Sequence, residues 1–126
     1  MSFKHIATGL QHIGIPTNDI EKTIAFYTGL GFEAAYRTDN NGEQVAFLKL
    51  GDLTLETYQN FKAVHTAGAV DHVAINVTDV EEARRIADQM NLTVIEEGQL
   101  PFWTNGVKYF TILGPNDEKI EFNQYL

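Results

Sequence analysis

The chain repeats itself. Leu10 to Tyr27 reads LQHIGIPTNDIEKTIAFY, and sixty residues later Val70 to Ala87 reads VDHVAINVTDVEEARRIA, so that His12 maps on His72, Asp19 on Asp79, Ile20 on Val80 and Glu21 on Glu81. A supersecondary unit copied twice within 126 residues limits the fold severely. Each copy must form the same strands and helix and bury the same faces.

In the first copy, Leu10 to Pro16 alternates as a strand does, with Ile13 and Ile15 on one face and His12 and Gly14 on the other. Asn18 followed by Glu21 approximates a capping box and predicts a helix from about Asp19. Its buried stripe is Ile20, Thr23, Ile24 and Tyr27, with Phe26 beside it, and Gly29 and Gly31 end it. Three strands follow: Phe32 to Thr38, Gln44 to Leu50 and Leu53 to Gln59, joined by turns at Asn40-Asn41-Gly42 and Gly51-Asp52.

The second copy runs through a strand at Val70 to Val77 and a helix opened by Thr78 and Glu81, with an apolar stripe of Val80, Ala83, Ile86, Ala87 and Met90. Strands are expected at Leu92 to Glu96, Val107 to Leu113 and Lys119 to Gln124, with Gly98 to Gly106 a long loop. Both halves read βαβββ. The expected fold is α+β: two βαβββ modules side by side, forming a curved mixed sheet with helices on its outer face. One domain is expected, with module one at about 8–60, a linker at about 61–69 and module two at about 70–126.

Strand parity then picks out four residues. In the last strand of the first module, Leu53 and Leu55 share a face, and Thr54, Glu56 and Tyr58 share the other. In the last strand of the second, Ile120 and Phe122 oppose Lys119, Glu121 and Asn123. The apolar faces belong under the helices, so His12, Glu56, His72 and Glu121 all point to the uncovered face. Taken singly, a polar residue there is ordinary solvated surface. The match of one His and one Glu at equivalent places in both repeats favours a shared purpose, and imidazole with carboxylate suits a divalent zinc, nickel, cobalt, iron or manganese ion.

Composition closes other routes. The chain has no cysteine, which excludes disulfides and thiolate metal sites. A net charge of −8 argues against nucleic-acid binding. Its acidity is uneven, with five Lys/Arg against seven Asp/Glu in 1–62 and four against ten in 63–126. An anionic substrate would depend on a few cations: Arg37, Lys49, Lys108 and Lys119. No apolar run has spanning length and no signal-peptide core is visible, so a cytoplasmic protein with no membrane partner is expected.

With these residues in view, the chain resembles the vicinal-oxygen-chelate superfamily, which includes glyoxalase I, extradiol dioxygenases, methylmalonyl-CoA epimerase and bleomycin- and fosfomycin-resistance proteins. HIGIPTNDIEKTIAFYTGLGF and VDHVAINVTDVEEA resemble its strand–helix signatures, and LTLETYQN and KIEFNQY its glutamate-bearing strands, so the resemblance covers about residues 8 to 125. It implies one divalent metal held by His12, Glu56, His72 and Glu121, a set of two His and two Glu like that of bacterial glyoxalase I. It also implies a lyase or isomerase that moves a proton on a small α-oxygenated carbonyl substrate through a metal-bound enediolate, with Glu121 or Glu56 as the catalytic carboxylate. A homodimer is the assembly implied.

The resemblance breaks at the glutathione site. Pro16 stands four residues after the first ligand, where glyoxalase I has an arginine, and Phe61 replaces a tryptophan, although Asn60 fits the family's asparagine. Tyr58 and Asn123, beside the glutamates, are candidate substrate contacts; Arg37 is a candidate ion-pair partner, and Trp103, with Phe102, a candidate lid. His5 and His65 carry no expected role. The alternatives are an Fe(II) extradiol-type dioxygenase and a metal-free protein that binds a drug or metabolite.

Overall fold

A computed structural model describes residues 2 and 4–126; Met1 and Phe3 of the lead-in lie outside the described residues. The chain divides into two compact units, one up to Ala63 and one from Val64 to Leu126. The first contains β1 (Ile13–Thr17), α1 (Ile20–Leu30), β2 (Glu33–Asn40), β3 (Glu43–Leu50) and β4 (Leu53–Gln59). The second contains β5 (His72–Asn76), α2 (Val80–Gln89), β6 (Val94–Leu100), β7 (Val107–Leu113) and β8 (Lys119–Tyr125).

Each unit forms its own four-stranded mixed sheet, in the orders β1-β4-β3-β2 and β5-β8-β7-β6. The first strand lies parallel to the last, and the other pairings are antiparallel. Both units are therefore βαβββ, as the repeat predicts. The registers also agree: Gly14 sits opposite Glu56, and Ala74 opposite Glu121. The β2–β3 register shifts between Ala34 and Tyr36, and the β6–β7 register shifts at the matching place, between Val94 and Glu96. Each is a bulge of one residue.

Both helices start one residue later than the capping boxes imply. Asp19 accepts from the Lys22 N–H at 3.1 Å, and Asp79 from the Glu82 N–H at 3.0 Å. Aspartate caps as well as Asn or Thr, and Asn18 instead accepts from the Ala63 N–H. The first helical N–H of each helix is taken by a side chain far along the chain: Gln59 accepts from Ile20, and Gln124 from Val80, both at 2.9 Å. Each last strand thus fixes the helix that covers it.

The core of the first unit gathers Ile20, Tyr27, Phe32, Ala46, Leu48 and Leu55 under α1. Fully burying side chains of this size contributes about 1.5–3 kcal/mol each. Thr17 and Thr23 join sheet to helix through a buried hydroxyl–hydroxyl bond of 2.9 Å. In the second unit Val80, Ala87, Phe110, Ile112 and Ile120 are buried. The expected α2 stripe is narrower than its spacing implies, because Ile86 and Met90 are 44% and 38% exposed. The Arg84 guanidinium lies 5.8 Å from the Phe110 ring centre, covering apolar surface that those two side chains do not reach.

The Asn41-Gly42 turn forms as predicted, with φ of 54° and 93° at its two central residues. The expected loop from Gly98 is shorter, since β6 continues to Leu100. Gly98 pairs with Tyr109, whose ring lies 3.7 Å from where a glycine β-carbon would stand. That ring covers the bare backbone.

Candidate active site

In the first unit, β1 and β4 bring His12 beside Glu56, with Nε2 3.7 Å from Oε1. The other ring nitrogen, Nδ1, lies 2.9 Å from Oε1 of Gln11. Phe47, opposite Glu56 on β3, stands edge-on to the imidazole at 5.7 Å and packs 6.1 Å from Tyr36. This wall is aromatic. Tyr58 leans over Gly14, where a β-carbon would come within 3.3 Å of its ring and 3.7 Å of Glu56.

The second unit sets His72 Nε2 3.9 Å from Glu121 Oε1. Here Nδ1 meets the Asp71 carboxylate at 3.0 Å, and the other Asp71 oxygen receives Lys119 Nζ at 3.2 Å. Hydrogen bonds from His72 and then Lys119 hold the Asp71 carboxyl below the usual carboxylate range. Asn123 Nδ2 donates to Glu121 Oε2 at 3.0 Å. The Tyr109 hydroxyl donates to Glu96 at 2.6 Å, and that bond, with burial and the charges of Glu96 and Glu121, raises the phenol above its ordinary range. These groups line a concavity of about 460 Å³ that Phe102 also borders.

Within each unit the pair offers two donors, and among the described residues no group of three or more His, Asp or Glu side chains gathers to enclose an ion. The chemistry of each pair nonetheless fits a divalent metal. Both Nε2 atoms face a carboxylate oxygen at 3.7–3.9 Å. That is too long for a direct hydrogen bond, and a shared ion with bonds of about 2.1 Å to each atom can span it.

The remaining candidates fall elsewhere. Arg37 pairs with Ala46, so it lies on the helix-covered side, and its guanidinium bonds Glu21 of α1. Lys108 likewise bonds Glu81 of α2. Asn60 accepts from the Lys62 N–H and closes the turn after β4. Trp103 is 78% exposed and stands edge-on to Tyr125, while its neighbour Phe102 borders the concavity. Sequence reasoning overlooked Asp71, Gln11 and the Glu96–Tyr109 pair. For the first two the signal was position, since each immediately precedes a site histidine.

Residues 9–122 match the model of the Glyoxalase/Bleomycin resistance protein/Dioxygenase superfamily. The chain belongs to that superfamily. It is 35% identical to the uncharacterized protein YwbC of Bacillus subtilis, over 94% of this chain and 99% of that one. Among solved structures it is similar to the fosfomycin resistance protein FosX of Listeria monocytogenes, with a TM-score of 0.77 at 16% identity over 96% of each chain. A lactoylglutathione lyase from Agrobacterium tumefaciens gives a TM-score of 0.72 at 17% identity, over 94% of this chain and 95% of that one. At such identities these likenesses establish the fold. A FosX variant has been crystallised with Mn(II) and 1S,2S-dihydroxypropylphosphonic acid. Among the described residues, no helix of this superfamily member is long and apolar enough to cross a membrane.

Proposed function

We propose that this protein is a metal-dependent lyase or isomerase of the glyoxalase I-like branch, moving a proton between adjacent carbons of a small α-oxygenated carbonyl compound. The observation that carries this reading is the duplicated His–Glu pair, each with Nε2 turned toward a carboxylate oxygen at 3.7 or 3.9 Å. His12, Glu56, His72 and Glu121 would hold one divalent metal. Bound there, the metal would supply Lewis-acid polarisation of the substrate's oxygens. Glu56 or Glu121 takes the proton from one carbon and returns it to the next. Tyr58 and Asn123, on the same faces as those glutamates, orient the substrate. Membership of a superfamily with metal-binding relatives such as FosX supports the reading. Glutathione is not the expected thiol, because Pro16 offers no charge to hold its carboxylate.

The test is metal analysis of purified protein beside Glu56→Gln and His72→Ala, followed by assay of hemithioacetals made from methylglyoxal and several thiols. Wild type should retain about one zinc, nickel, cobalt, iron or manganese ion per site, each variant should lose most of it, and turnover should not require glutathione. Equal and negligible metal in all three proteins would remove the enzyme reading.

A further inference from the structure

The two His–Glu pairs are alike in geometry and unlike in support. In the second unit both members are held from behind. The Asp71 carboxylate can only accept, so the bond at 3.0 Å requires the proton on His72 Nδ1 and leaves the Nε2 lone pair facing Glu121. Lys119 fixes Asp71 in turn, and Asn123 fixes the far oxygen of Glu121. In the first unit, His12 rests on Gln11, whose amide can present either its oxygen or its NH2 to Nδ1, so neither tautomer is imposed. Packing against Phe47 steadies the ring plane and leaves the tautomer open. Among the described residues no side chain donates a hydrogen bond to Glu56, and it is 27% exposed where Glu121 is 15%.

We propose that His72 and Glu121 form the anchoring half of the metal site, that Asp71 is the residue positioning His72, and that His12 and Glu56 form the half that yields. The inference rests on the metal-site reading above and divides its four ligands into two classes. A ligand whose partners already fix its orientation loses less freedom on binding and binds more tightly, and partners of this kind are commonly worth 10–100-fold in metal affinity. For the histidines exposure runs against packing as the cause, since His72 is 45% exposed and His12 33%; hydrogen bonding is what distinguishes those two rings. Glu56 would accordingly be the more loosely oriented of the two carboxylates toward a bound ion.

Two measurements decide this. The first is zinc affinity, by competition with a chromophoric chelator, for full-length wild type and for His72→Ala, His12→Ala, Glu121→Gln, Glu56→Gln and Asp71→Asn, with thermal unfolding as the check on folding. His72→Ala and Glu121→Gln should each lose about tenfold more affinity than their counterparts, and Asp71→Asn about 10–100-fold against wild type. Equal losses in the two halves, or a larger loss in the first, would overturn the division. The second uses metal-free protein at pH 8 and reads the imidazole nitrogen shifts by NMR. His72 should be a single Nδ1–H tautomer that becomes a mixture in Asp71→Asn, while His12 is a mixture in wild type. If His12 is as fixed as His72, or Asp71→Asn leaves His72 unchanged, the proposal fails whatever zinc does. Wild type that binds none of zinc, nickel, cobalt, iron or manganese defeats the enzyme reading, and the imidazole measurement still judges the asymmetry.

Discussion

The two units share one skeleton and differ in what they hang on it. Strand order, parallel first-to-last pairing, an aspartate cap and a glutamine tie to the helix all recur. On the faces that carry the glutamates the resemblance stops. Opposite Glu56 stands Phe47, packed with Tyr36 and His12; opposite Glu121 stands Thr111, and beside it the bonded pair of Tyr109 and Glu96. Backbone geometry is thus the shared inheritance of both halves, and chemistry is set by a handful of side chains in each. One face is steadied by ring packing and the other by directed hydrogen bonds.

That contrast can be broken most forcefully at Phe47 and Thr111, which occupy matching positions. Phe47→Ala should destabilise the protein by about 2–3 kcal/mol through lost ring packing, and Thr111→Ala by about 1 kcal/mol. Denaturant unfolding would measure both, and a Thr111→Ala cost equal to that of Phe47→Ala would deny that only the first face depends on packing. The shared skeleton makes the opposite prediction. Gln59→Ala and Gln124→Ala should each cost about 1 kcal/mol, nearly alike, because each frees the same helical N–H; a cost at one site only would show that the symmetry of the skeleton is superficial.

The smallest effect belongs to Tyr109. Its raised phenol means that the stabilisation from the Tyr109–Glu96 bond is fully present through neutral pH and is lost as pH rises through the folded-state value. Glu96→Gln should move the phenol titration back toward its ordinary range, followed by absorbance near the phenolate band. An unmoved titration would mean that Glu96 does not perturb the tyrosine.

Much of this was legible in the sequence, and the reason is local periodicity. The repeat, β4 and β7 to the residue, and the parity that sets His12 and Glu56 apart from Leu55 are all written in neighbours two to four positions apart. The misreadings involve partners far along the chain. Gln59 reaches Ile20 across 39 residues, Tyr109 covers Gly98, and Arg84 lies over Phe110 where Ile86 was expected to pack. Arg37 was open to substrate on paper, yet parity with Ala46 places it under the helix with Glu21. Phe102 borders the concavity of the second unit, while Trp103, with a φ of 64°, stands against Tyr125.

The matching bulges at Ala35 and Ile95 carry a consequence for the two walls. A one-residue slip in a strand sends every later side chain to the opposite face, so straightening either strand with its earlier pairing kept and no residue removed would turn Glu96 away from Tyr109 in the second copy and Tyr36 away from Phe47 in the first. The irregularity therefore ties register to face in both units alike, and the walls above it differ only in side chains, aromatic at Tyr36 and Phe47 and polar at Glu96 and Tyr109.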